Sequence, residues 1–587
     1  MEVMTSDKIF GGSFLLAPIG SQPQFTPEDL SDEAKAIGEA ARDFMMGEVM
    51  PADEAIDKLD LELTKELLLK AGELGLLSIE IPEAYEGMDL DKKTTMVLLE
   101  EVGKQASFSV TYGAHTGIGT LPIVYFGSPE QKAKYLPLLG SGQKLAAYAL
   151  TEAGSGSDAM GAKTTAVLDG EEWVLNGSKM WITNAGFADV FVVFAKVDGR
   201  KFSAFIVEKE DPGFSTGLEE HKLGIKGSST RALSLDNCRI PKDRLLGEVG
   251  RGHRIAFGIL TIGRFKLGAG CTGTAKMVLE YTIKYTGERH QFGKPLHSFG
   301  LIQTKLADMA TRVFVAEAMN FRTISYIDDR MQVVSWDEPD AAKRKLDIMD
   351  EFAMEASIAK VWGSEALFAT ADDAVQAFGG YGFSSEYPPE KIYRDNRINR
   401  IFEGTNEINR LIIAGTLFKK ASNGTLVLSK DTAVAPKPAE FTGPLAASML
   451  AVELAKRLCC YSAATALGVC GQKLIENQEA SARVADMLTE IYAMECGVVR
   501  AGLMTKAGHR WAALARDCAD AYVNENWQKV QANAKLLLAE VLEGQPLEAA
   551  LADLGAFSGF VPQASSRLRG RIAEQVIEKG CYPIIQY

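Results

Sequence analysis

A carboxylate set among apolar residues is a candidate general base, and Glu403 has that setting. It stands between Phe402 and Gly404 in the run Ile401-Phe-Glu-Gly-Thr-Asn-Glu407. Apolar walls strip water from the ionised form and raise a carboxyl pKa toward the range where it can take and return a proton near neutrality. Gly404 has no Cβ and lets another molecule approach the backbone. A surface glutamate at a turn would read the same way, so the company it keeps elsewhere in the chain decides.

Four other stretches carry groups suited to an oxygen-rich or planar ligand. Tyr148-Ala-Leu-Thr-Glu-Ala-Gly-Ser-Gly-Ser-Asp-Ala-Met-Gly161 collects small residues and hydroxyls. Its backbone N–H and side-chain O–H groups can donate to oxygen. It leads into strands rather than a βαβ helix, so it is not a dinucleotide fingerprint, and an ordinary loop would look alike. Trp181-Ile-Thr183 sets an indole beside a hydroxyl, able to stack on a flat ring and donate one hydrogen bond. A core tryptophan is the other reading. Arg289-His-Gln-Phe-Gly293 ends a helix, and its arginine can meet a phosphate bidentately or lie on the surface. Gln376-Ala-Phe-Gly-Gly-Tyr-Gly-Phe383 can set backbone donors against a pyrophosphate or simply turn the chain.

The elements that must position these groups follow from periodicity. From Thr26 to about Tyr148 the pattern is helical. Thr26-Pro-Glu-Asp reads as an N-cap with proline and acids in the first turn. Leu61 to Leu76 repeats apolar residues at three and four, and Glu130 to Leu139 ends at Gly140. Then β-branched and aromatic runs appear at Thr164–Leu168, Trp173–Leu175, Val190–Val197, Lys201–Glu208 and Leu233–Leu235. Asp169-Gly170, Asn176-Gly177 and Asp198-Gly199 read as turns between them. Past Gly252 the helical period returns, with a loop from Asp328 to about Ala341, and holds to about Lys420. Lys420 to Pro444 reads as a linker, and the remainder is helical. The expected divisions are an extension over 1–25, helices over 26–147, a β domain over 148–250, a bundle over 251–420, a linker over 421–444 and a helical tail over 445–587.

The chain has 587 residues and a formal net charge of −14, with no basic block, so general nucleic-acid binding is disfavoured. Its eight cysteines form no CxxC pair, and its six histidines have no HxxxH or HExxH spacing. Neither a metal site nor a disulfide framework is expected, and the thiols read as reduced and buried. No run of about 18 apolar residues occurs, and the start of the chain does not read as a signal segment. A cytoplasmic protein is the default.

Together, the motifs resemble the acyl-CoA dehydrogenase family over residues from about 25 to 415. One family signature matches Ala149–Gly161. A second matches Gln376–Asp395 through Gly379, Gly380, Gly382, Glu386 and Lys391. Gly113-Ala-His-Thr-Gly-Ile-Gly119, Met180-Trp-Ile-Thr-Asn184, Gly224-Ile-Lys-Gly-Ser-Ser-Thr230 and the long tail resemble the bacterial long-chain and very-long-chain branch. The resemblance implies a mainly α fold with a helical N-domain, a β-barrel-like middle domain and a four-helix bundle, plus the extra helical tail. It implies FAD between the β domain and the bundle. Tyr148, Leu150, Thr151, Gly156, Ser157, Trp181, Ile182 and Thr183 would line the flavin. Arg289, Gln291, Gln376, Phe378, Gly379 and Gly380 would hold FAD phosphates from a neighbouring subunit. Thr405, Asn406 and Glu407 would also contact the cofactor. Ser157, Arg264, Phe402 and Gly404 would touch the acyl-CoA, with Glu403 as the base. Some relatives carry the base near Arg264; here no carboxylate lies between Ala256 and Leu267.

The implied reaction is α,β-dehydrogenation of a long-chain fatty acyl-CoA, the first step of β-oxidation, with electrons passing to an electron-transferring flavoprotein. An oxidase of the same fold and a flavoprotein scaffold or assembly factor stay open. The glycines between Thr111 and Leu121 leave room for a long chain or serve close helix packing. The tail echoes the bundle: Ala485-Asp-Met487 and Glu495 repeat a helix containing Ala307-Asp-Met309 and Glu317. It has no copy of Ile401-Phe-Glu-Gly-Thr405. A tail packed on its own bundle would leave a homodimer, with weak peripheral membrane contact as a lesser expectation.

Overall fold

The computed structural model describes residues 9–429 and 434–584. The first residues of the expected extension and the middle of the expected linker lie outside them.

The first block is helical, through Asp32–Phe44, Leu61–Glu73, Lys92–Val102, Ala106–Gly113, Leu121–Phe126 and Pro129–Gly140. Side-chain caps start most of these helices: Ser31, Asp60, Asp91 and Ser128 each accept a backbone N–H three residues on. The N-cap expected at Thr26 forms, but its turn covers only Pro27–Asp29. Leu30 returns to extended backbone, and Ser31 starts the helix. The segment before it is no loose extension. Phe14, Leu15 and Ile19 are buried. Gly12 N donates to Glu355 Oε1 at 2.6 Å, and Ile19 N donates to Glu453 Oε1 at 2.6 Å. This strap therefore ties the bundle to the tail.

The middle block is one eight-stranded sheet. From one edge its strands are Phe214–Glu219, Thr230–Pro241, Glu172–Thr183, Thr165–Asp169, Val190–Val197, Lys201–Glu208 and Leu245–Leu246. Ala146–Ala149 pairs in parallel with Val190–Val197. Two of the three expected turns form. Asn176-Gly177 does not turn the chain: it is a bulge inside the continuous strand Glu172–Thr183. A Cβ on Gly177 would lie 2.5 Å from Thr164 Oγ1, so the glycine serves close strand contact.

The bundle consists of Gly252–Glu288, Gly300–Met331, Ala353–Phe378 and Asn406–Ser422. The tail repeats that order with Ala446–Cys470, Gln478–Lys506, Ala512–Val541 and Ser565–Lys579. The two sets face each other with reciprocal contacts. Glu317 pairs with Lys276 of its own set (2.6 Å) and Arg500 of the tail (2.7 Å). Glu495 pairs with Lys456 of its own set (3.0 Å) and Arg322 of the bundle (3.1 Å). The Arg500 guanidinium covers the Phe314 ring, and that of Arg322 covers the Tyr492 ring. Arg410 binds Asp486, and Arg569 binds Asp308, both at 2.7 Å. The sequence echo is thus a pseudo-two-fold pairing of two bundles. One apolar core runs through both, joining Leu306, Phe314 and Leu417 to Leu454, Leu514 and Ile572. The helix starting at Ala446 has the length and hydropathy to cross a bilayer, but Glu453 and Lys456 on it are buried in ion pairs.

Candidate active site

Thr405 begins the site by capping helix Asn406–Ser422, its side chain accepting from Ile408 N. Just before the cap, Glu403 and Gly404 both adopt left-handed backbone, with φ of 57° and 80°. That conformation is costly for a glutamate and persists only where its surroundings enforce it. Here they do. Asn409 Nδ2 donates to the carbonyls of Gly404 at 2.8 Å and Thr405 at 3.0 Å. Lys360 Nζ donates to the Gly404 carbonyl at 2.8 Å and to Asn406 Oδ1 at 2.7 Å. Arg264 Nε donates to the Glu403 carbonyl at 3.3 Å.

The strained turn aims the Glu403 carboxyl at Gly263 of helix Gly252–Glu288. A Cβ on Gly263 would lie 2.7 Å from Glu403 Oε2, so only glycine leaves room there. Oε2 is buried and has no hydrogen-bond partner among the described residues. The residue as a whole retains some exposure. Burial pushes the carboxyl up to about 7, against the opposing pull of Arg264, Lys360 and Lys266. Burial likewise pushes the Lys360 ammonium down to about 8.

The carboxyl opens on a cavity of about 150 Å³. One wall is the helix face Gly263, Leu267, Gly270, Cys271 and Thr274; the other includes Gly103, Ala106, Val110, Gly113 and Gly117. At 1.5 Å per residue the first wall runs for roughly 16 Å. The glycines after Thr111 divide by role. A Cβ on Gly113 would meet nothing within 4 Å, and one on Gly117 would meet only Lys266 at 3.9 Å. One on Gly119 would strike Ala146 at 2.7 Å. Gly113 and Gly117 shape the cavity, and Gly119 permits close packing.

The β domain brings Thr183 to this cavity and sets further groups near it. Thr183 lines it beside Phe402 and Glu403. Tyr148 is buried with its hydroxyl unpartnered, and burial, then Glu403, raise that phenol well above its ordinary range. Residues 148–151 lie against 179–183: Met180 N donates to the Thr151 carbonyl at 2.9 Å, and Lys179 Nζ to the Leu150 carbonyl at 3.2 Å. At a bulge in this strand Trp181 has φ 57° and is 59% exposed. It is not a core tryptophan. An exposed indole, a threonine hydroxyl and an orphaned phenol beside a buried carboxyl fit a flat, polar-edged ring such as a flavin. Ile182 is buried behind them, while Gly156 and Ser157 are exposed and do not line the cavity.

Arg289, Gln291, Phe378, Gly379 and Gly380 are gathered elsewhere, around a second cavity of about 490 Å³ that shares no residue with the first. Tyr285 stacks on Phe378 there at 3.9 Å. Gln376 is exposed in the last turn of the preceding helix. Other expected contact residues lie outside the lining of the first cavity. Arg264 is 6% exposed and donates to the Glu403 carbonyl. Gly404 acts through its carbonyl, which fastens the turn. The Asn406 side chain faces inward to Lys360, Ser364 and Glu365, whereas Glu407 is exposed. Sequence reasoning missed Lys360, Asn409 and the role of Gly263. The one available signal was a lysine inside the apolar run Ile358-Ala-Lys-Val-Trp362.

Family models for the N-terminal, middle and C-terminal domains of acyl-CoA dehydrogenases match residues 31–143, 147–238 and 250–418. A further acyl-CoA dehydrogenase C-terminal domain model matches 454–555. The chain belongs to the acyl-CoA dehydrogenase family. As such it is an FAD-dependent oxidoreductase. A probable acyl-CoA dehydrogenase of Bacillus subtilis is 45% identical over 98% of both chains. A crystal structure of an acyl-CoA dehydrogenase from Bacillus anthracis, complexed with FAD, superposes with a TM-score of 0.94 at 44% identity. It covers 98% of this chain and 100% of that one. A rat mitochondrial short-chain specific enzyme is 39% identical over 67% of this acyl-CoA dehydrogenase and 91% of its own length. Likeness therefore reaches beyond the long-chain branch and does not set the chain length.

Proposed function

We propose that the protein dehydrogenates long-chain fatty acyl-CoA thioesters between Cα and Cβ, as the first step of β-oxidation. The observation that carries this is the enclosed, unpartnered Glu403 oxygen at the head of an apolar cavity that glycines keep open on the far wall. A carboxyl that titrates near neutrality is matched to removing a weakly acidic α proton. The left-handed turn fixes its carboxyl, and Arg264, Lys360 and Asn409 keep that turn from relaxing. FAD held beside this carboxyl would supply the hydride acceptor for Cβ. Tyr148, Trp181 and Thr183 would orient its ring against the substrate, and the apolar walls would exclude water from the reacting carbons. The roughly 16 Å helix face supports an acyl group of twelve carbons or more.

Electron-transferring flavoprotein is the proposed acceptor, the cytoplasm the proposed compartment, and a homodimer the proposed assembly. The tail already covers the bundle face formed by helix Gly300–Met331. Flavin bleaching by thioesters of graded length tests the reaction, with a rate maximum at C12 or above expected. A maximum at butyryl- or hexanoyl-CoA would overturn the chain-length reading. Light scattering tests the assembly: a tetramer would contradict it.

A further inference from the structure

Lys266 lies one turn beyond Gly263 and faces the same cavity as Glu403. Its ammonium is held in an ion pair with Glu80, whose other oxygen binds Lys92 at 2.6 Å. All three side chains are 12% exposed or less. Behind Lys266 are two small voids of about 10 Å³ each, both of which it lines. One is bounded by Ile262, Phe265, Ile324 and Met349, the other by Leu76, Ile79 and Leu98. The lysine stem therefore stands as a partition between the acyl cavity and the space behind it, which apolar side chains line together with Glu80. Opposite, Gly117 stops short: a Cβ there would sit 3.9 Å from Lys266 Cδ and Nζ.

Packing does not demand this arrangement. Burying three charges gains little over filling the same space with apolar side chains. A short apolar residue at 266, however, would merge the voids with the cavity and let an acyl group spread sideways.

We propose that Lys266, held back by Glu80 and Lys92, is a specificity-determining residue that confines the acyl cavity to a slot for unbranched aliphatic chains. The proposal rests on the acyl-CoA reading above. Lys266→Ala opens the wall, whereas Lys266→Met keeps its length without its charge. Both leave the Glu80–Lys92 pair intact. Both also remove a positive charge near Glu403, so absolute rates fall together and the ratio between substrates isolates the wall.

The test compares kcat/KM for straight-chain and phenylalkanoyl-CoA thioesters of equal carbon number. Lys266→Ala should raise the relative rate of the phenyl series at least tenfold, and Lys266→Met should leave the ratio within about threefold of the parent. Gly117→Ala narrows the slot without removing a buried charge and should shift the ratio against the phenyl series. Unchanged ratios in Lys266→Ala and Gly117→Ala, or equal shifts in the alanine and methionine variants, would overturn the proposal. Failure of every thioester to bleach the unsubstituted enzyme would instead remove the reaction on which it depends, and the proposal with it.

Discussion

In the bundle, Lys360 donates to the Gly404 carbonyl and to Asn406; in the tail, Asn524 donates to the Gln563 carbonyl at 3.1 Å and to Ser565 at 2.7 Å. The same corner of the same helix arrangement is tied down in both. The turns differ. The bundle has Phe402-Glu-Gly404 with two left-handed residues, and the tail has Val561-Pro-Gln563 at the corresponding place. Proline holds φ negative and cannot take the left-handed step, and no carboxylate is supplied. The tail thus keeps the scaffold and lacks the chemistry. What it retains most faithfully is the outward pairing: acid, lysine and partner arginine recur in both halves. Buried charges left without partners are strongly destabilising, so each half requires the other.

The comparison is broken most directly at the base. Glu403→Gln should retain fold and bound flavin yet slow substrate bleaching by 10²-fold to 10⁴-fold. Near-normal bleaching in a stopped-flow trace would place the base elsewhere. The reciprocal ion pairs come next. Arg322→Met and Arg500→Met should each cost about 1.5–3 kcal/mol, because each takes a charge-assisted hydrogen bond from a buried glutamate that keeps only its lysine. Urea midpoints check this, and a large loss for one with under about 1 kcal/mol for the other would show that the halves are not equivalent.

Titration sharpens the contrast further. The Glu403 carboxyl is raised from 4.5 to about 7 in the folded chain. Its contribution to stability is therefore present at low pH and lost as pH rises through 7. Glu403→Gln should be more stable than the parent by up to ~3 kcal/mol at pH 8, shrinking below ~1 kcal/mol near pH 5. Flavin bleaching by the parent should rise along a limb centred near pH 7. The smallest effect is expected at the tied corners. Lys360→Met should slow bleaching roughly tenfold by loosening the turn, and Asn524→Ala should leave it within about twofold. Equal losses would mean that the tail corner supports the active one.

The strands Val190–Val197 and Lys201–Glu208 were legible because β-branched and aromatic runs and the Asp198-Gly199 turn report local backbone preference. Asn176-Gly177 misled for the same reason: the dipeptide favours a turn, but cross-strand pairing with Thr230–Pro241 held the strand straight. The sequence by itself determined the order of domains, the candidate base Glu403 and the lack of a second copy of its motif. Those properties reside in residue type and short spacing. Only the tertiary structure decided that Gly263 makes space for Glu403, that Lys360 and Asn409 hold the turn, and that the tail faces the bundle through exchanged ion pairs. Such contacts join residues far apart in the chain, and their energies come from burial and geometry that no local pattern records.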